Sequence, residues 1–186
     1  MGTVAPTDDL AAPFRFEYDP ATLRYGPNCV ADLADELAEL DCERALVVTG
    51  QTDGKTAAVM DPIRTGLGDA LGGVFPGTTP EKRLGTAYDA LEQYRAADCD
   101  AIVAVGGGSS HDVATVLAVL AATDRAPEAV GAELAETGTI TVPDADLPPI
   151  VTVIVSSIQT LVTSAPLAVS PTPGWMKPLS SLSTKS

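Results

Sequence analysis

The chain has 186 residues, 45% of them hydrophobic, which is enough for one sizeable core or for one core and part of a second. Its formal net charge of -14 repels phosphate backbones and anionic lipids, so neither nucleic acid nor a membrane surface is an expected partner. Cys29, Cys42 and Cys99 are odd in number and lack Cys-x-x-Cys spacing, which argues against a disulfide framework or a thiolate metal site and fits free thiols in a reducing cytoplasmic setting.

Residues 1–13 read as a loose acidic lead-in without the basic-then-apolar pattern of a secretory signal. Phe14 to Tyr18 alternates apolar and polar residues, Asp19-Pro20 interrupts it, and Leu23-Arg-Tyr25 follows, a pattern that predicts a small edge hairpin. Asn28 is placed to cap a helix whose apolar stripe is Val30, Leu33, Ala34, Leu37 and Leu40. Ala45 to Thr49 predicts the first buried parallel strand, and Gly50 to Gly54 a loop leading into a helix with Val59, Ile63, Leu67 and Leu71 inward. Gly72 to Phe75 predicts a short strand, and Pro80 the first turn of a helix that buries Leu84, Ala87, Leu91 and Tyr94.

Ala101-Ile-Val-Ala-Val105 suits a strand buried on both faces, and Gly106, Gly107 and Gly108 follow at once. Beyond them Val113, Val116, Leu117 and Leu120 recur at helical spacing, so the segment reads strand, glycine loop, helix. Glycines without Cβ atoms are free to take positive φ and to let backbone approach an anion, and the helix start supplies unpaired N–H donors and the positive end of the dipole. A diphosphate is the expected ligand. Ser109 and Asp112 form a Ser-x-x-Asp pair in which Ser109 is expected to cap the helix and Asp112 to favour its first turn. A capped turn without a ligand is the alternative, but three consecutive glycines exceed what a turn needs. The strand–helix alternation predicts an α/β fold with a doubly wound, mostly parallel Rossmann-like sheet.

The stretch Gly106 to Ala114, Gly-Gly-Gly-Ser-x-x-Asp-x-Ala, resembles the signature of the iron-containing alcohol dehydrogenase family, whose wider group includes glycerol and glycerol-1-phosphate dehydrogenases and maleylacetate reductases. Arg24 to Pro27, Ala45 to Thr49 and Val74 to Pro80 agree with that setting, and the likeness runs from about Phe14 to Val153; Thr115 departs from the family's usual Lys. The resemblance implies a dinucleotide-binding domain over 14–153, with Gly50, Gln51, Gly106, Gly107, Gly108, Ser109 and Asp112 as cofactor-binding residues. It also implies an oxidoreductase that moves a hydride between NAD(P)H and an alcohol or aldehyde, with iron or zinc held by one Asp and commonly three His of an all-helical second domain. Family members that prefer NAD often carry an Asp where this chain has Gly50, which leans the reading toward NADP or toward no preference.

After Asp146 the composition changes. All 25 acidic residues lie in the first 146 positions, and eight of the ten serines lie in the last forty. Pro148 to Val153 still resembles the family's next strand, but Ile154-Val-Ser-Ser-Ile-Gln-Thr160 stands where a nicotinamide-holding loop belongs. The expectation is that the reading frame departs from the ancestral one near Val153 or Ile154, leaving 154–186 as an aberrant Ser/Pro-rich, disordered tail. A membrane span over Leu147 to Met176 is the weaker alternative, since five interior prolines suit a lipid-facing helix badly.

One histidine, His111, cannot supply the family's metal ligands, so no metal site and no catalytic residue is expected, and His111 is read as a partly exposed first-turn residue. The sequence therefore predicts a truncated relative without the metal domain that binds NADP or NAD and is inactive on its own. It would associate with itself or with a complete subunit through a bared apolar face. The acidic, lysine-poor composition further resembles that of proteins from salt-loving organisms.

Overall fold

The computed structural model describes residues 14–18, 21–81, 83–154 and 160–164. The expected lead-in and most of the expected tail lie outside these residues. Seven strands form one sheet: β1 (Phe14–Tyr18), β2 (Ala21–Tyr25), β3 (Ala45–Gly50), β4 (Leu71–Thr78), β5 (Ala101–Val105), β6 (Ile150–Ile154) and β7 (Thr160–Ser164). Their order is β1-β2-β7-β6-β5-β3-β4. β4, β3, β5 and β6 are mutually parallel, while β7, β2 and β1 extend the sheet antiparallel.

Helices cover both faces of the parallel half because β3 and β5 are apolar on both sides. Ala45, Val47, Ala101, Val103, Val105, Val151 and Val153 face one layer, made of α1 (Leu33–Glu39) and α3 (Ala57–Leu67). The alternate residues Leu46, Val48, Ile102 and Ala104 face α4 (Leu84–Ala96) and α5 (Gly108–Ala121), with Val130 of α6 (Pro127–Thr137) joining them. This is the period-two division of a sheet buried on both faces. Each fully buried aliphatic side chain contributes about 1.5–3 kcal/mol relative to an exposed one. Because β4 lies on one side of β3 and β5 on the other, right-handed crossovers put α3 on one face and α4 and α5 on the opposite face.

The differences from the sequence reading have local causes. Asn28 adopts the left-handed conformation (φ 61) and makes no side-chain cap; a 3₁₀ turn over Cys29–Asp32 precedes α1. The expected Gly50–Gly54 loop is the end of β3 followed by a short helix, α2 (Gln51–Lys55). β4 is eight residues long, paired with β3 through two register shifts, so Leu71 begins a strand and does not end a helix. Pro80 lies in a turn and α4 starts at Leu84. α6 was not foreseen, although Pro127 in its first turn and the left-handed Gly138 at its end are its sequence marks.

Of the expected tail, 154–186, the structure describes Ile154, which ends β6, and β7. Its Thr-Leu-Val-Thr-Ser sequence pairs with β6 on one side and β2 on the other, because a β-branched segment gains two full ladders of backbone hydrogen bonds there. Among the residues whose side chains are described, the large hydrophobics left exposed are Leu134 (38%) and Ile154 (44%). No described helix is long and apolar enough to cross a membrane.

Arg24 ties the hairpin to the helical layer. Its guanidinium contacts Asp32 at 2.6 Å and the buried Glu36 at 2.7 Å. Partial burial works against its charge, and the Asp32 hydrogen bond with the Glu36 carboxylate more than offsets this, raising its pKa. On the same side, Gly66 of α3 lies against the 3₁₀ turn, where an added Cβ would land on the Val30 carbonyl oxygen.

Gly66→Ala would gain about 1 kcal/mol in an isolated helix. Here we expect it to destabilise the protein by about 1–3 kcal/mol through overpacking, a reversal of sign that urea denaturation will read.

Candidate functional site

The site grows from the carboxyl edge of the sheet. β3 and β5 run side by side to Thr49 and Val105, and their continuations diverge, one toward β4 and the other toward β6. Such a switch point opens a crevice beyond the strand ends. Gly106 N–H donates to the Val153 carbonyl at 3.0 Å, extending the β5–β6 ladder by one bond before the chain turns.

The three glycines have different tasks. Only Gly106 takes positive φ (112), the conformation that lets the chain leave the sheet; Gly107 is extended (φ -98) and Gly108 is the first residue of α5. A Cβ on Gly106 would lie 2.8 Å from Asp53 Oδ2, whereas on Gly107 or Gly108 it would meet nothing within 4 Å. Gly106 thus serves the turn, and the other two serve open space. The N–H groups of Ser110 and His111 donate to the Gly107 carbonyl at 3.1 and 3.4 Å, so Gly108 and Ser109 come before the helix's own hydrogen bonding and present their amides at its positive end.

Two expectations are corrected here. α5 begins before Ser109, with Gly107 in the cap position and no side-chain cap, so Ser109 has helical backbone and does not cap. Asp112 is past the first turn and exposed, outside the cavity, so it does not stand at the cap position expected of it.

A cavity of about 510 Å³ occupies the crevice. Its lining brings together Gly50, Gln51, Gly107, Gly108 and Ser109, whereas Gly106 lies outside the lining. Residues that the sequence reading passed over complete it: Thr52 and Asp53 of α2, Thr78 to Glu81 after β4, and Ser110. The signal for them was the parallel register, which brings the ends of β3, β4 and β5 to one edge. Thr78 and Ser110 are buried and their hydroxyls lie 3.1 Å apart, fastening the end of β4 to the start of α5. Thr49 Oγ1 is buried without a hydrogen-bond partner among the described residues.

The charged groups of the lining are both acidic, Asp53 and Glu81, and no Lys or Arg lines the cavity among the described residues. A hydrogen bond from Thr79, together with a backbone amide and nearby Arg83, lowers the pKa of Glu81, so it is anionic at neutral pH. His111 lies outside the lining, exposed, with Nδ1 3.4 Å from Thr115 Oγ1.

Among the described residues no group of three or more His, Cys, Asp or Glu is arranged to hold a metal ion. The residues described therefore fit a dinucleotide's phosphates, through an open backbone cradle, and do not fit the metal. A second cavity of about 430 Å³ at the opposite edge of the sheet is lined by Glu43, Arg44, Asp69, Asp98, Cys99 and Asp100. Its central carboxylate is already engaged, since Asp100 accepts from the Glu43 and Arg44 amides at 2.8 Å each. Burial, reinforced by Asp100, pushes the Cys42 and Cys99 thiols up to about 11. Both are poor nucleophiles at neutral pH.

The family model described as iron-containing alcohol dehydrogenase matches residues 20–159. The chain is 31% identical over 111 residues to the NAD-dependent methanol dehydrogenase of Bacillus methanolicus, covering 58% of this chain and 28% of that one. It is 34% identical over 93 residues to the 1,3-propanediol dehydrogenase of Citrobacter freundii, covering 47% and 24%. Among solved structures, 1,3-propanediol oxidoreductase superimposes with a TM-score of 0.59 at 28% identity, covering 71% of this chain and 33% of that one. The chain thus spans about a third or less of the length of these relatives.

Two measurements probe this anatomy. Gly106→Ala should lose about 1–3 kcal/mol of stability, because a side chain is strained at its φ, whereas Gly107→Ala should stay within about 0.5 kcal/mol of the parent in the same denaturation series. Alkylation of the native protein at pH 8 should proceed at Cys42 and Cys99 about 100-fold more slowly than at an unperturbed thiol and accelerate as pH approaches 11, followed by mass spectrometry.

Proposed function

Since the chain belongs to the iron-containing alcohol dehydrogenase family, we propose that it binds the diphosphate of NAD(H) or NADP(H) at the amino end of α5, as the dinucleotide-holding part of an oxidoreductase. The observation that carries this reading is the vacant space above Gly107 and Gly108, where a Cβ would meet nothing, at the switch point between β3 and β5. Relatives named for NAD and for alcohol or diol oxidation support it.

A bound nicotinamide supplies hydride transfer to or from a carbonyl carbon. What this chain's residues contribute is binding: amide donors from Gly108 and Ser109, the dipole of α5, and a floor held by the Thr78–Ser110 hydroxyl contact. The described residues assemble no converging set of metal ligands, and the single histidine of the whole sequence lies outside the cavity. The proposal is therefore binding without turnover by this chain alone.

Calorimetric titration of the purified chain with NADH and NADPH tests both parts. We expect one saturable site, and Gly108→Val should weaken it at least about tenfold while leaving the melting temperature unchanged. No saturable heat with either dinucleotide, or an unaltered affinity in Gly108→Val, overturns the binding assignment. Oxidation of a primary alcohol or 1,3-propanediol by the iron- or zinc-supplemented chain overturns the claim of no turnover.

A further inference from the structure

Resting on the dinucleotide reading, we infer that the Ser110 hydroxyl is a further donor to the bound diphosphate and that the Thr78 hydroxyl aims it.

Thr78 ends β4 and Ser110 lies in the first turn of α5; they are 6% and 4% exposed. Their Oγ atoms are 3.1 Å apart, and neither hydroxyl has another hydrogen-bond partner among the described residues. Each hydroxyl carries one proton and two lone pairs, so the pair holds two protons and its mutual bond uses one. The second proton is left without an acceptor where water has little access, an arrangement that is costly until an acceptor arrives. Both residues line the cavity, so a ligand seated there can supply that acceptor.

Position decides which hydroxyl keeps the spare proton. Ser110 follows Gly108 and Ser109 on the turn whose amides open onto the cavity, and its Oγ is 3.7 Å from the place a Gly106 Cβ would take. Thr78 Oγ1 stands on the other side, 3.7 Å from the place of a Gly50 Cβ at the end of β3. Thr78 therefore donates to Ser110 Oγ, and the Ser110 O–H donates to a phosphate oxygen resting on the helix start. An anionic oxygen suits this role, because a charge-assisted hydrogen bond is about twice as strong as a neutral one. Donation from Thr78 also polarises the Ser110 hydroxyl and strengthens its own bond to the ligand. Thr78 is thus a positioning residue that acts through Ser110.

Calorimetric titration of the full chain with NADH and with NADPH tests this in the parent, Ser110→Ala, Ser110→Thr, Thr78→Val, Thr78→Ser and the double variant of Ser110→Ala with Thr78→Val. We expect Ser110→Ala to weaken both dinucleotides by the same factor, about tenfold, since the diphosphate is common to them. Ser110→Thr and Thr78→Ser, which keep the hydroxyls, should stay within about twofold of the parent. Thr78→Val should weaken binding about threefold in the parent and add nothing in the Ser110→Ala background. Ser110→Cys, close in volume and a weak donor, should show the same loss as Ser110→Ala and serves where the alanine variant does not fold. Parental affinity in Ser110→Ala or Ser110→Cys, a loss confined to one dinucleotide, or an equal effect of Thr78→Val in both backgrounds overturns this inference alone. Failure of both dinucleotides to bind the parent overturns the dinucleotide reading with it.

Discussion

The left-handed turn at Gly106 is the constraint on which the site depends. It is held from three directions: the Val153 carbonyl takes its N–H, Asp53 closes the side where a Cβ would stand, and α5 begins two residues later. Were the turn wider, the Gly108 and Ser109 amides would no longer sit beside the ends of β3 and β4, and the cavity would lose its donors. β5, which leads into it, is fully buried, as is the adjacent β3 up to Thr49. A flexible-looking run of glycines is in this way the fixed point of the molecule.

Much of this was legible before any coordinates. Five consecutive apolar residues followed by glycines and a 3.6-residue apolar period can be read only as strand, turn and helix, and β3, β5 and α5 fall where that reading put them. The apolar run at Ile150 falls beside β5, as a parallel neighbour. What escaped were features set by tertiary context. α2 is five residues long with a glycine inside it, too short for periodicity to reveal, and β7 is a strand only because β2 and β6 present facing edges. Ser109 had the composition of a cap and missed the position by two residues, since the geometry of the turn decides where the helix starts.

The same tertiary context set the chemistry of the cavity. Composition announces an acidic protein but not where its acids point; among the described residues most lie on solvent-facing surfaces, where water and salt screen them. Asp53 differs because the fold brings it, half-buried, to the rim of a space lined largely by glycines, hydroxyls and amides. The backbone donors this space offers are oriented amides, the Gly108 and Ser109 N–H groups at the start of α5.

The interposition of β7 between β2 and β6 has a consequence for the order in which the polypeptide can acquire its shape. Ala21–Tyr25 finds its sheet partner in Thr160–Ser164, almost the whole described length away. A ribosome adding about 5–20 residues per second releases the hairpin many seconds before the strand that joins it to the rest. During that interval the parallel half can consolidate around β3 and β5 while β2 and β6 both present unpaired edges. The nascent chain is therefore most exposed to mispairing with its neighbours just before synthesis reaches residue 164, and arrival of that short segment removes both edges in one step.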